Sequence, residues 1–304
     1  MKHIMTFIFV VIFIVGLFVN PVFVLAGDKC VICDGEDCDY ETISEAIEEN
    51  CDKIEVKKGT YKEDVVVDKG VSVSGDDRSD VVITGKVTMK DGAKLSDVTV
   101  SGMGIDVLAS AKIEYIKVKD SRIGIDASGG GTLEVKKADV YDNDKGMYIQ
   151  RGKDIKITGS EVYNNKEEGI DIRANVDGTV SGNVIYNNGE SGIEVILGKS
   201  ELKITNNTIK KNAASGIATQ FYKEASKLGA LIITGNSVTE NKDYGINCKI
   251  PSGGNPEPGY WMNSMKMSAN KISNNKDGEF AESCKFDVEK IEAATKTIEE
   301  VEAE

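Results

Sequence analysis

From about residue 53 onward, apolar and polar positions alternate in runs of three to five residues, broken by Asn, Gly and Ser. Segments such as "IKITGSEVYNN", "GTVSGNVIYNN", "LKITNNTIKKN", "LIITGNSVTEN" and "MKMSANKISNN" each hold two such runs, rich in Val and Ile. A period of two, punctuated by turn formers, predicts short half-buried strands joined by tight turns. One phrase recurs past residue 100. It reads Gly104-Ile105-Asp106, Gly124-Ile125-Asp126, Gly146-Met147-Tyr148, Gly169-Ile170-Asp171, Gly192-Ile193-Glu194, Gly216-Ile217-Ala218 and Gly245-Ile246-Asn247. The glycines are 20, 22, 23, 23, 24 and 29 residues apart. A steady period in this range marks a solenoid. No stretch between the strands is long or periodic enough for a crossover helix, so the chain is expected to wind as a coil of strands.

Alignment of the units puts like residues above one another. Ser160, Asn183, Asn207, Asn236 and Asn270 form one column, and Asn143, Asn165, Asn188, Asn212, Asn241 and Asn275 form a second. Asn accepts left-handed backbone and stacked amides bond along the axis, so both columns read as structural turns. At the start, Thr42 and Glu45 make a capping box for a short helix whose Ile43, Ala46 and Ile47 share an apolar face. Such a helix would cover the first coil, which would otherwise expose unpaired backbone. About nine or ten coils are expected over 53–284, a rod of roughly 45 Å. Past Cys284, Val288, Ile291, Thr295, Ile298 and Val301 suggest a charged C-terminal helix or tail over 285–304.

Residues 1–26 stand apart. Lys2 precedes an apolar run from Ile4 to Val19, Asn20-Pro21 breaks it, and Val24-Leu25-Ala26 offers a cleavage site. This reads as a secretory signal, with an uncleaved membrane anchor as the alternative. The expected location is outside the cell or on its surface. The full chain has a net charge of −13, and loss of Lys2 takes the remainder to about −14. Nucleic acid is therefore not an expected partner. The same balance disfavours unaided binding of an acidic polysaccharide, unless a divalent cation such as Ca2+ bridges the like charges. Six cysteines follow the signal: Cys30, Cys33, Cys38, Cys51, Cys248 and Cys284. An even number in an exported chain implies disulfides, with pairing inside each group, so Cys248 with Cys284. A zinc site on the first four is the alternative. The only histidine, His3, lies in the signal, which excludes serine-type triads and most zinc hydrolases.

With its repeats and the stretch "ISEAIEENCDKIEVKKGTYKEDVVVDKGVSVSGD", the chain resembles the pectate lyase-like (pectin lyase fold) superfamily over about residues 40–280. The resemblance implies an all-β, single-stranded right-handed parallel β-helix with a short N-terminal capping helix. In that superfamily a Gly-Thr-Tyr-x-Glu turn, here Gly59 to Glu63, opens the first coil. Residues 27–52 then form a Cys-rich segment with the capping helix. The later pectin methylesterase motifs Asp-Phe-Ile-Phe-Gly and Leu-Gly-Arg-Pro-Trp are absent. So are the polygalacturonase motifs Asn-Thr-Asp, Gly-His-Gly and Arg-Ile-Lys and the epimerase motif Asp-Pro-His-Glu. Pectate lyases, which use Ca2+ on acidic side chains and Arg or Lys as base, tolerate the missing histidine.

That chemistry directs attention to "EEGIDIRAN", Glu167 to Asn175. Alternation sends Ile170 and Ile172 inward and Asp171 and Arg173 outward, and Glu194 falls above Asp171 one coil on. Two stacked carboxylates repel unless a cation intervenes. The expectation is a Ca2+ site on Asp171 and Glu194 with Arg173 as base; an ordinary solvated ion pair is the alternative. Gln150, Gln220 and Lys249 are placed in the Arg173 column as substrate contacts. Two stretched repeats, "TQFYKEASKLGA" and "KIPSGGNPEPGYWMN", bring Phe221, Tyr222, Tyr260 and Trp261 to adjacent coils. Insertions in repeat folds often wall a binding surface, and aromatic faces suit sugar rings; packing under their own loops is the alternative. The function these readings point to is binding, and lyase-like processing, of an extracellular polysaccharide or other glycan. The alternative is a non-catalytic adhesion or structural scaffold.

Overall fold

The computed structural model describes residues 29–35, 38–221, 229–249 and 264–284. The proposed signal, the C-terminal helix, Tyr222, Tyr260 and Trp261 lie outside the described residues. Of Phe221 and Lys249, only the backbone is described.

In the two coils before Ala111 the second and third strands run together as Val81–Met89 and Thr99–Val107; from Ala111 on, every coil is built from three short strands. In one coil they are Leu133–Lys136, Asp139–Tyr141 and Lys145–Ile149, after which the chain returns as Gly152–Thr158 beside the first. All pairings are parallel between successive coils, and eleven strands make up the first sheet. At about 4.8 Å per strand the stack is about 48 Å long. The sheet begins earlier than residue 53, because Lys29–Ile32 already pairs with Lys53–Val56. Disulfides Cys30–Cys51 and Cys33–Cys38 fasten that segment, and Cys248–Cys284 closes the other end. The first four cysteines are thus consumed in disulfides and do not form a zinc site.

The interior is a set of vertical rows. Ile125, Met147, Ile170, Ile193, Ile217 and Ile246 are partners in register, all at 0% exposure. Burying each isoleucine side chain is worth about 1.5–3 kcal/mol. No coil can bury its own face, so this gain exists only in the stack.

Both asparagine columns are ladders. Asn165 Nδ2 donates to Asn188 Oδ1 at 2.9 Å, Asn188 to Asn212 at 3.0 Å and Asn212 to Asn241 at 3.0 Å. The left-handed residue is the one before the ladder asparagine, for example Asn187 with φ 56° before Asn188. The ladder amide therefore does not occupy the left-handed position; it satisfies the backbone around it. Asn188 also donates to Val162 O at 3.1 Å and accepts from the Asn165 backbone N–H at 3.1 Å. The recurrent glycine follows from the same crowding. A Cβ on Gly169 would lie 2.7 Å from Gly192 O and 2.8 Å from Asn188 Nδ2.

The helix Ile43–Glu48 buries Ile43 and Ala46 over the first coil, as its apolar face predicts. Thr42 Oγ1 accepts from Glu45 N at 3.1 Å. A second cap comes from far along the chain. The Glu63 carboxylate accepts from Ile43 N at 2.9 Å, Ser44 N at 3.0 Å and Ser44 Oγ at 2.6 Å. Tyr61 anchors the same turn by donating to Lys57 O at 2.7 Å. The Gly59–Glu63 turn thus ties the cap to the coil.

Candidate functional site

The third strand of each coil presents one outward row that runs Asp106, Asp126, Tyr148, Asp171, Glu194, Ala218, Asn247. Four carboxylates in five consecutive coils would repel if left alone. Cations enter from beside the row. Lys86 Nζ lies 2.8 Å from Asp106 Oδ2. Lys145 Nζ lies 2.6 Å from Asp171 Oδ2 and 2.6 Å from Glu168 Oε2.

Asp171 is the centre of this network, and it is not a solvated surface group. Its side chain has 0% exposure, against 14% for Lys145 and 7% for Glu168. Arg173 Nη2 binds the same Oδ2, and the guanidinium lies 5.2 Å from the centre of the Tyr148 ring. Lys145 Nζ lies over that ring too, at 5.4 Å. Tyr148 separates Asp126 from Asp171 and places an aromatic face under two cations. Two buried atoms of the cluster, Asp171 Oδ1 and Arg173 Nε, have no hydrogen-bond partner.

The titration behaviour follows from burial and pairing. Desolvation pushes the Asp171 carboxyl up, although Lys145 and Arg173 pull against it. For Glu168 burial also acts upward, but the Lys145 ammonium, its own backbone N–H and the Glu190 carboxyl outweigh it and hold the group low. Glu190 is pushed up, first by its hydrogen bond to Glu168 and then by burial. Lys145 is raised: burial alone would lower it, and the hydrogen bonds it donates to Asp171 and Glu168 prevail. Arg173 is raised likewise by Asp171 and Tyr148 against its desolvation, so it stays a cation.

The predicted residues are partly brought together. Asp171 and Glu194 are register partners, as alignment of the repeats requires. Glu194 accepts from Gln220 Nε2 at 3.3 Å. Arg173 pairs with Asp171 rather than sitting free between the two carboxylates. The Arg173 row does contain Gln220 and Lys249, but Ile196 interrupts it. Gln150 points the other way, donating to Asp126 Oδ1 at 2.8 Å. Sequence reasoning missed Lys145, Tyr148, Glu168 and Glu190. Lys145 and Glu168 occupy the column immediately before the recurrent glycine, where alignment of the repeats already sets a lysine beside a glutamate.

The donor set at Asp171 does not suit calcium. A hard cation needs six to eight oxygens, whereas Oδ2 already carries an ammonium and a guanidinium. Among the described residues, no three acidic, cysteine or histidine side chains are arranged to hold a metal ion. The cations this site needs are its own side chains.

Residues 81–256 match the family model described as the right handed beta helix region. The sequence matches no curated protein. Solved structures share the architecture at low identity. An alginate lyase from Paenibacillus sp. str. FPU-7 superposes with TM-score 0.58 at 13% identity, over 83% of this chain and 98% of that one. The catalytic domain of a GH87 alpha-1,3-glucanase variant, in complex with tetrasaccharides, gives 0.54 at 12% identity, over 80% and 57%. A double mutant of the periplasmic alginate epimerase AlgG gives 0.50 at 15% identity, over 75% and 71%. At these identities the likeness is one of fold.

Proposed function

We propose, for a chain that belongs to the right-handed β-helix family, that the outward row around Asp171 binds and processes an extracellular polysaccharide carrying carboxylates. The observation that carries the reading is the buried Asp171 clamped by the half-buried Lys145 and Arg173, with two unpartnered atoms in the cluster. Burying a carboxylate beneath two partly buried cations on the outside of a strand is costly, and such groups gather where chemistry needs them. In support, an alginate lyase, an alginate epimerase and an alpha-1,3-glucanase share this architecture. The three disulfides accord with an oxidising compartment.

In this reading the processing step is β-elimination. The proton beside the uronate carboxyl passes to a carboxylate of the outward row, the electron pair forms a double bond in the ring, and the bond to the glycosidic oxygen breaks as that oxygen takes up a proton. Lys145 and Arg173 supply the positive field that stabilises charge growing on the carboxyl. Arg173, expected from sequence to act as base, is held charged by Asp171 and takes the electrostatic role instead. Glu190, exposed at the edge and raised by Glu168, is the proton donor to the leaving oxygen. Tyr148 offers its ring to the sugar face.

The test is digestion of a panel of uronate polymers with and without Ca2+, followed by the ultraviolet absorbance of the unsaturated product. Absorbance that depends on Arg173 and is indifferent to Ca2+ supports the assignment. Product formed only with Ca2+ would restore a bound-metal mechanism. No product from any polymer, together with no binding, would leave a scaffold.

A further inference from the structure

The eleven-stranded sheet faces away from the site just described, and its outward side carries a different chemistry. Its first outward row starts at Lys29 and ends at Lys266, and seven of its eleven positions are lysine. Lys53, Lys94, Lys203 and Lys266 are exposed and have no ion-pair partner among the described residues. The other three are paired locally: Lys29 with Glu55, Lys112 with Glu114 and Glu134, and Lys156 with Asp154. From Lys112 on, a lysine returns on every second strand, an interval of about 9.6 Å.

Beside it runs a row of hydroxyls. Thr158, Ser181, Thr205, Thr234 and Ser268 occupy five successive strands. Over those five strands the two rows hold no acidic residue; Asp154, Asp177 and Glu201 stand at the margin. The other end is concave. A groove of about 410 Å³ is lined by Lys29, Lys53 and Ser72 with Glu55 and Asp76 at its side, and the next, of about 260 Å³, by Lys94, Lys112 and Lys156 with Glu134 and Asp154. Together they cover the first seven strands of the sheet.

We infer that this face is a binding track for a linear carboxylated polysaccharide laid along the rod axis, independent of the Asp171 site. Charge segregation is the argument. The chain is strongly acidic as a whole, yet seven lysines and a single acidic residue, Glu134, share one straight file about 48 Å long. Salt screens distant charges over about 8–10 Å, so a ligand on the file feels the lysines more than the chain's net charge. The file is one residue wide, which suits a thin polymer with a carboxylate on each sugar. A duplex nucleic acid needs basic groups on a broad face following its phosphates. The hydroxyl row supplies partners for sugar hydroxyls, and the compact ammonium groups act as point charges.

The test is affinity electrophoresis of the whole chain through gels containing polygalacturonate, without divalent ions and at several salt concentrations. The quadruple variant Lys53→Gln, Lys94→Gln, Lys203→Gln, Lys266→Gln should lose at least about tenfold in affinity and show a flatter salt dependence. A control removing Lys62, Lys69, Lys166 and Lys242 in the same way should retain most of the binding. Equal loss in both variants, or no retardation of the unaltered chain, overturns the inference. So does row-dependent retention by duplex DNA or by phosphatidylserine vesicles in preference to polygalacturonate. The readout is binding, so a chain with no lyase activity still passes or fails it.

Discussion

Replacing Lys145 by Met removes the one ammonium shared by two buried carboxylates. Its Nζ lies 2.6 Å from both Asp171 and Glu168. A hydrogen bond to a charged partner contributes about 1.5–3 kcal/mol, so the two together give about 3–6. Breaking a buried pair by deleting one member costs about 3–5 kcal/mol by the separate argument of an uncompensated charge. Glu167, half exposed at 3.4 Å, adds less than about 1 kcal/mol. Arg173 remains on Asp171 and limits the damage, so the expected loss is about 3–4 kcal/mol. Lys166→Met is the internal control. Its pair with Asp144 has a similar distance, 2.7 Å, but the side chains are 79% and 43% exposed, and the expected cost is under about 0.5 kcal/mol. The pH dependence follows from Glu168. In the unaltered chain its folded pKa is depressed, so its contribution is present above the unfolded value and lost as pH falls through the folded value. Without Lys145 the largest of the lowering interactions is gone while the backbone N–H and Glu190 remain, so that pKa rises and less of the contribution is present above the unfolded value. The gap between the two proteins therefore widens from about pH 4 to about pH 7. Urea midpoints followed by far-ultraviolet circular dichroism at both pH values measure it. A Lys145→Met loss no greater than that of Lys166→Met, or a gap unchanged with pH, refutes the reasoning.

Asn188→Ala orphans the Asn165 N–H and the Val162 carbonyl and should cost about 3 kcal/mol. Asn187→Ala changes only a left-handed position and should cost about 1 kcal/mol, so equal urea midpoints for the two would contradict the ladder. Gly169→Ala forces a Cβ against Gly192 O and should lower thermal stability by at least about 2 kcal/mol, read in the same melts. Cys248→Ala opens a disulfide spanning 36 residues and should cost about 3–4 kcal/mol, whereas reducing agent should leave the altered end no less stable than it already is. Glu63→Ala removes three hydrogen bonds from the helix start and should cost about 2 kcal/mol, visible as faster amide exchange in Ile43–Glu48.

The rows of this protein are legible in its sequence because the solenoid turns a period of 20 to 29 residues into vertical contact. Aligning the glycines is enough to stack Ile170 under Ile193, Asn165 under Asn188 and Asp171 under Glu194. Strand alternation also assigns Ile170 and Ile172 to the core. The cap is half legible: Thr42 and Glu45 announce it locally, but the Glu63 carboxylate comes from about twenty residues away, and no local pattern marks it.

What tertiary structure decided is where long side chains reach. Alternation places Asp171 outward and therefore in water, yet Lys145 and Arg173 fold across it and leave it without exposure. Lys145 opens its strand where the alternation breaks, since Gly146 and Met147 are both buried, so its direction does not follow from the two-residue period. The lysine file was equally hidden. Its members are spread from Lys29 to Lys266 among acidic neighbours, and composition averages them into a net negative chain. Periodicity determines which residues share a row, since register repeats with each coil. Turn geometry and side-chain reach determine which rows touch, and those depend on contacts that exist only after the coils have stacked.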